Sequence, residues 1–183
     1  SIVNGHPQYT LIDCATGVSR PLFNHQTAAQ SLNLDPGSLT FDRLEVTADR
    51  ALALSTSGGI IWSISLDTSA ATLAAEADAR RFHLSPLREP VPSRVSTLST
   101  AIILKNSLPT RLSIFWIDAE GRRHPYAALP AGEVRRQHTF AGHSWIAIDD
   151  DGRTQGIYQG GPLPAIALFP AIASDPKPAN AEP

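Results

Sequence analysis

Residues 102–152 read IILKNSLPTRLSIFWIDAEGRRHPYAALPAGEVRRQHTFAGHSWIAIDDDG, and this stretch decides the fold. Ile102 to Leu104 is apolar and runs into the turn residues Lys105-Asn106-Ser107-Leu108-Pro109. In the next run Leu112, Ile114 and Trp116 alternate with Ser113, Phe115 and Ile117. Alternate side chains of a strand point to opposite faces. Both sets are largely apolar here, so a strand covered on both sides is expected. Asp118-Ala119-Glu120-Gly121 and Pro130-Ala131-Gly132 are turns, and Ser144 to Ile148 is a further strand that Asp149-Asp150-Asp151-Gly152 ends. Short apolar runs broken by turns roughly every 8–12 residues are the pattern of a β-sandwich.

Upstream, Tyr9-Thr10-Leu11-Ile12 reads as a strand that meets a turn at Asp13-Cys14-Ala15-Thr16-Gly17. Asn24 is placed to cap a short helix with Ala28, Ala29 and Leu32 on one side, and Asp35-Pro36-Gly37 stops it. Leu44 and Val46 alternate with polar neighbours. Ala51 to Leu54 and Ile60 to Leu66 follow, joined through Ser57-Gly58-Gly59 as a hairpin. These three strands, with the first, are expected to make one four-stranded blade of sheet. From Glu76 to Ser99 prolines 86, 90 and 92 sit among arginines 80, 81, 88 and 94, which reads as an exposed connector. The Ala- and Pro-rich end from Ala171 to Pro183 reads as disordered.

Composition narrows the function. Hydrophobic residues make up 42% of the 183, enough for a core, while charged residues make up only 17%. The formal net charge is −2, without the basic surplus that neutralises phosphates, so no nucleic-acid partner is expected. No apolar run is long enough to span a bilayer as a helix, and no membrane partner is expected. Cys14 is alone and reads as a small buried hydrophobe. With no methionine in it, the chain reads as a piece of something longer. No Gly-x-Ser-x-Gly string occurs, and neither Gly58-Gly59 nor Gly160-Gly161 carries a phosphate-loop lysine. No catalytic residue is assigned. His124, His138 and His143 do not make a convincing zinc set, so neither a metal nor another cofactor is expected.

The stretch from Thr100 to Phe169 resembles the β domain of the von Hippel–Lindau (VHL) family. The resemblance rests on Asn106, Phe115-Trp116, Pro125-Tyr126, Leu129-Pro130-Ala131-Gly132, Arg135-Arg136 and His138-Thr139-Phe140-Ala141-Gly142-His143-Ser144-Trp145. It implies a small β-sandwich that recognises hydroxyproline in a peptide. Tyr126 matches a tyrosine that hydrogen-bonds the peptide, and His138 a histidine that contacts it. Thr139 stands for the serine that holds the hydroxyl, and His143 matches the histidine that shares it. Trp116 and Trp145 match the aromatic walls around the pyrrolidine ring. Phe140 stands where the family has a tyrosine, and the family's asparagine and arginine contacts fall at Val95 and Thr97. The family's helical, adaptor-recruiting domain has no counterpart in the stretch, so a ubiquitin-ligase role is not implied.

The segments LIDCATGVSRPLFNHQTAAQSL and LTFDRLEVTADRALALSTSGGIIWSISLDT resemble the opening of the β-propeller in bacterial dipeptidyl-peptidase-IV-like serine peptidases. That resemblance implies a non-catalytic part of such a peptidase, paired with the remainder of its propeller and periplasmic or secreted. The expected layout is all-β with one short helix. Residues 1–75 form a propeller-like segment, 76–99 a linker, 100–170 a VHL-like sandwich and 171–183 a tail. Besides an enzyme whose activity resides in a part outside this chain, two functions stay open. One is a module binding proline- or hydroxyproline-containing peptides through Trp116, Tyr126, His138, Thr139, His143 and Trp145. The other is a structural insertion or oligomerisation module in which the same aromatics are core and Thr139 and His143 pin a turn.

Overall fold

A computed structural model describes residues 2–3, 6–55 and 58–170. The expected tail at 171–183, and Ser57 of the expected hairpin turn, lie outside the described residues. The chain is mostly β-sheet and divides into two compact units, the first running to Arg81 without the turn at 58–59 and the second running from Phe82 and including that turn.

In the first unit β1 (Ile2–Val3) pairs antiparallel with β2 (His6–Pro7), and β3 (Thr10–Ile12) with β4 (Ser19–Pro21). Helix α1 (His25–Ser31) begins where the sequence places its cap, with Asn24 Oδ1 accepting the Thr27 N–H at 3.0 Å. β5 (Arg43–Val46), β6 (Arg50–Ser55), β7 (Ile60–Ser65) and β8 (Ala71–Leu73) form an antiparallel sheet in sequence order. The fourth strand of the blade is therefore β8, and not the segment around Leu11. Turn chemistry decides this, and the same turn leaves Cys14 exposed where burial was expected. Asp13 Oδ1 accepts the Ala15 N–H at 2.8 Å and Gly17 takes φ +70°, which folds β3 back onto β4. Ala28 and Ala29 of α1 join Leu22, Phe23, Leu39, Ala51, Ala53, Ile64 and Ala71 in the core of this unit. A second short helix, α2 (Glu76–Ala79), corrects the expectation of one. Arg50 reaches its Asp78 at 3.1 Å, and Glu45 takes Arg43 and Arg81 together.

Among the described residues the second unit holds seven strands: β9 (Ser99–Asn106), β10 (Leu112–Ile117), β11 (Arg123–Leu129), β12 (Val134–Phe140), β13 (Ser144–Asp149), β14 (Thr154–Gln159) and β15 (Ala165–Phe169). They build two sheets, ordered β11-β10-β13-β14 and β12-β9-β15, with β15 parallel to β9 and the other pairs antiparallel. Ile102, Leu104 and Ala167 of one sheet pack with Leu112, Ile114, Ala147 and Tyr158 of the other. On the far side of β10 a second cluster joins Ile117, Ile146 and Ile157 to Phe115, Ile148 and Leu87. The doubly apolar alternation of β10 thus reflects two separate apolar clusters, one on each face.

The segment read as an exposed connector does more than connect. The Leu84 N–H donates to Ile166 O and Leu87 to Ile157 O, both at 2.8 Å. Ser93 donates to Asp118 O at 3.0 Å and Arg94 to Gly142 O at 2.9 Å. Prolines 86, 90 and 92 have no N–H to give, so the donors come from residues around them: Leu84 before Pro86, Leu87 after it, and Ser93 and Arg94 after Pro92. Proline and arginine content alone does not reveal that pattern.

Candidate functional site

Antiparallel pairing of β10 and β13 sets Trp116 directly opposite Trp145. Opposed residues share a face of the sheet, and both indoles point toward the second sheet, where Trp145 is buried and Trp116 partly so. β12 of that second sheet brings Thr139, which is 2% exposed. Its Oγ1 accepts the Trp145 Nε1–H at 3.1 Å. The Thr139 hydroxyl hydrogen is left free to donate elsewhere.

The turn between β12 and β13 carries His143. The His143 N–H donates to Phe140 O at 3.0 Å, and Gly142 takes φ +87° to close the turn. The imidazole lies 5.5 Å from the Trp116 ring and 5.3 Å from Phe140, centroid to centroid. It is partly buried, and burial pushes its pKa below the usual histidine value. Neither ring nitrogen has a hydrogen-bond partner among the described residues. Tyr126 projects from the edge strand β11 and meets Trp145 edge-on at 5.0 Å and 90°. Its hydroxyl accepts the Gln137 Nε2–H at 2.8 Å. His138 is exposed, with its Nε2 2.9 Å from Ser99 Oγ.

Trp116, Tyr126, His138, Thr139, His143 and Trp145 line one cleft of about 250 Å³, joined there by Phe140. All six residues singled out in the sequence come together. Trp116, Phe140 and His143 also wall a neighbouring groove of about 500 Å³. That groove is bordered by Arg94, Val95 and His124, and Val95 is 93% exposed. At its side Asp118 accepts from His124 Nε2 and Arg122 Nε, each at 2.7 Å. Burial works against the Asp118 carboxylate, but those bonds hold its pKa well below the usual range. The arrangement offers an apolar slot between two indoles, with a hydroxyl and a neutral imidazole facing it.

Sequence reasoning missed three contributors. Gln137 lies on the same face of β12 as Thr139, two residues away, and alternation marks it as facing Tyr126. His124, tilted against Trp116 at 5.4 Å, entered the reading only as a weak metal candidate. Ser93, which accepts the Trp116 Nε1–H at 3.1 Å, sits in the proline-rich segment and gives no periodic signal.

A match to a known family covers this region of the chain. It begins at Val91, ahead of β9, and so takes in Ser93; it ends at Ile157, within β14. Over residues 91–157 the chain matches the family model of the VHL beta domain, and a VHL β domain is therefore present in it.

Proposed function

We propose that the cleft binds a prolyl residue of a peptide and prefers the hydroxylated form. VHL domains in general bind hydroxyproline-containing peptides. The observation that carries the reading is the composition of one cleft: Trp116, Trp145, Thr139 and His143 together. Indole faces suit the flat pyrrolidine ring. The free hydrogen of Thr139 and the unpartnered imidazole of His143 supply a donor and an acceptor for one ligand hydroxyl. Tyr126 and His138 flank the slot as contacts for the peptide on either side.

Calorimetry with a hydroxyprolyl peptide and its prolyl twin tests this. Plain proline leaves the polar pair unmet in a mostly apolar slot, a cost of about 1–3 kcal/mol, or roughly five- to 150-fold in affinity. His143→Ala is expected to erase most of that difference, and Trp145→Ala to weaken both peptides. Equal affinities for the twins refute the hydroxyl preference, and no binding by a folded chain refutes the prolyl cleft.

For the first unit we propose a part in a β-propeller of a dipeptidyl-peptidase-IV-like serine peptidase, with the catalytic residues elsewhere. The antiparallel order of β5 to β8 is that of a propeller blade. Val46 at 51% exposure and Leu73 at 69% leave apolar side chains on the sheet for a neighbouring blade to cover. A cooperative melt of residues 1–75 as an isolated monomer refutes this part.

A further inference from the structure

We propose that Ser93 is a positioning residue of the prolyl cleft: its hydroxyl holds the Trp116 indole in the orientation that makes it a wall. The proposal rests on the reading of the cleft as a peptide site. Ser93 belongs to no strand, yet it is 7% exposed. A serine hydroxyl has one hydrogen to donate and two lone pairs to accept with. All three are committed here. Ser93 Oγ donates to Ile117 O, accepts the Trp116 Nε1–H at 3.1 Å and accepts the Ser144 backbone N–H at 2.9 Å.

Those three groups are well chosen. Ile117 is the last residue of β10 and Ser144 the first of β13, and the two are register partners. Trp116 and Trp145, the next pair along, are the two indoles of the cleft. One hydroxyl therefore ties the end of the paired strands and the indole of the neighbouring pair at a single point. The Ser93 and Arg94 N–H groups bond to Asp118 O and Gly142 O, which fixes the hydroxyl from its own backbone. Gly142 leaves little room for drift, since a Cβ there would lie 3.0 Å from Arg94 Cβ. The two indole hydrogens are thus held by oxygens from different segments, Trp145 by Thr139 and Trp116 by Ser93. Rotation of Trp116 about its side-chain bonds would break its bond to Ser93 and reshape both the cleft and the adjoining groove.

The test uses the full chain, labelled with nitrogen-15, and follows the three indole N–H resonances of Trp62, Trp116 and Trp145. Trp116→Phe identifies its own signal by removing it. The Trp116 indole hydrogen is expected to exchange with solvent slowly, and exchange as fast as in free indole overturns the proposal. This reading is made on the unaltered chain and does not need a Ser93 variant to fold. Ser93→Ala is expected to speed that exchange and to weaken hydroxyprolyl peptide binding by roughly tenfold, with a cooperative melt retained. Binding equal to the unaltered chain overturns the proposal. Ser93→Ala also strips the Ser144 N–H, so its effect is compared in the Trp116→Phe background, which has no indole hydrogen to hold. The two substitutions are expected to be less than additive by roughly threefold or more, and additivity is the contrary result. A chain that binds no hydroxyprolyl peptide refutes the proposed function, while the exchange measurement still decides the role of Ser93.

Discussion

Replacing Asn106 with alanine should be among the costliest single changes in the second unit. Asn106 ends β9 and is 1% exposed. Its Nδ2 lies 2.8 Å from Thr110 O, 3.1 Å from Leu129 O and 2.9 Å from Pro130 O, and its Oδ1 accepts the Leu108 N–H at 3.0 Å. Two amide hydrogens serve three carbonyls, so the amide makes about three bonds' worth of contact in total. Each nets about 1 kcal/mol, and stranded buried carbonyls add to that, which puts the loss at about 3–5 kcal/mol. In a domain of this size each kcal/mol moves the melting temperature by about 4–8 °C, so a fall on the order of 12–40 °C follows. Urea unfolding read on the indole signals of Trp116 and Trp145 reports on this unit. Asn106→Asp sharpens the test, because a carboxylate would face three carbonyls and its pKa would rise on folding. A raised acid favours the protonated native form, so this variant should lose stability as pH rises through the carboxylate range. An Asn106→Ala loss below about 1 kcal/mol would refute the view that this side chain ties β9 to β11.

Three further outcomes are expected. Burial lowers the His143 pKa, so the unfolded chain takes up this proton first as pH falls below 6.5. Stability should therefore decline from pH 6.5 downward until His143 titrates in the folded chain, and His143→Gln should flatten that part of the urea-midpoint profile. Gly156 has no room for a side chain, since a Cβ there would meet Phe169 and Tyr158 ring carbons at 2.9 Å. Gly156→Ala should cost about 1–3 kcal/mol in the same unfolding assay. A fragment starting at Thr100 should melt below one starting at Phe82, because it lacks the backbone bonds that Leu84, Leu87, Ser93 and Arg94 donate to the sandwich. Equal melting temperatures would show those bonds to be idle.

The sandwich was legible because its signals are local. The alternation in β10 encodes two buried faces, and the ordered residues from His138 to Trp145 carry one turn and one side of the cleft. The helix start at Asn24 was legible for the same reason, since a capping side chain acts within its own first turn. What stayed hidden is non-local. The pairing of β3 with β4, and not with the blade, depends on turn geometry that competes with many other registers. The role of Ser93 depends on partners 23 and 51 residues away in sequence. Polar bonds at that separation leave no periodic trace. β15 escaped because five apolar residues fit equally well into several positions of a sheet.

The parallel pairing of β9 with β15 also has a mechanical meaning. Because the first and last strands of the sandwich run side by side in the same direction, the chain enters at one end of the pair and leaves at the other. Five paired residues at about 3.3 Å each separate those points by about 17 Å. Tension applied through the flanking chain would pull β9 and β15 in opposite senses along their length. The ladder would then be loaded in shear, with its rungs strained together and not unzipped one at a time. Tension arriving from upstream would first meet the bonds of Leu84, Leu87, Ser93 and Arg94, so the support of the Trp116 wall would feel the load before the β9–β15 ladder does.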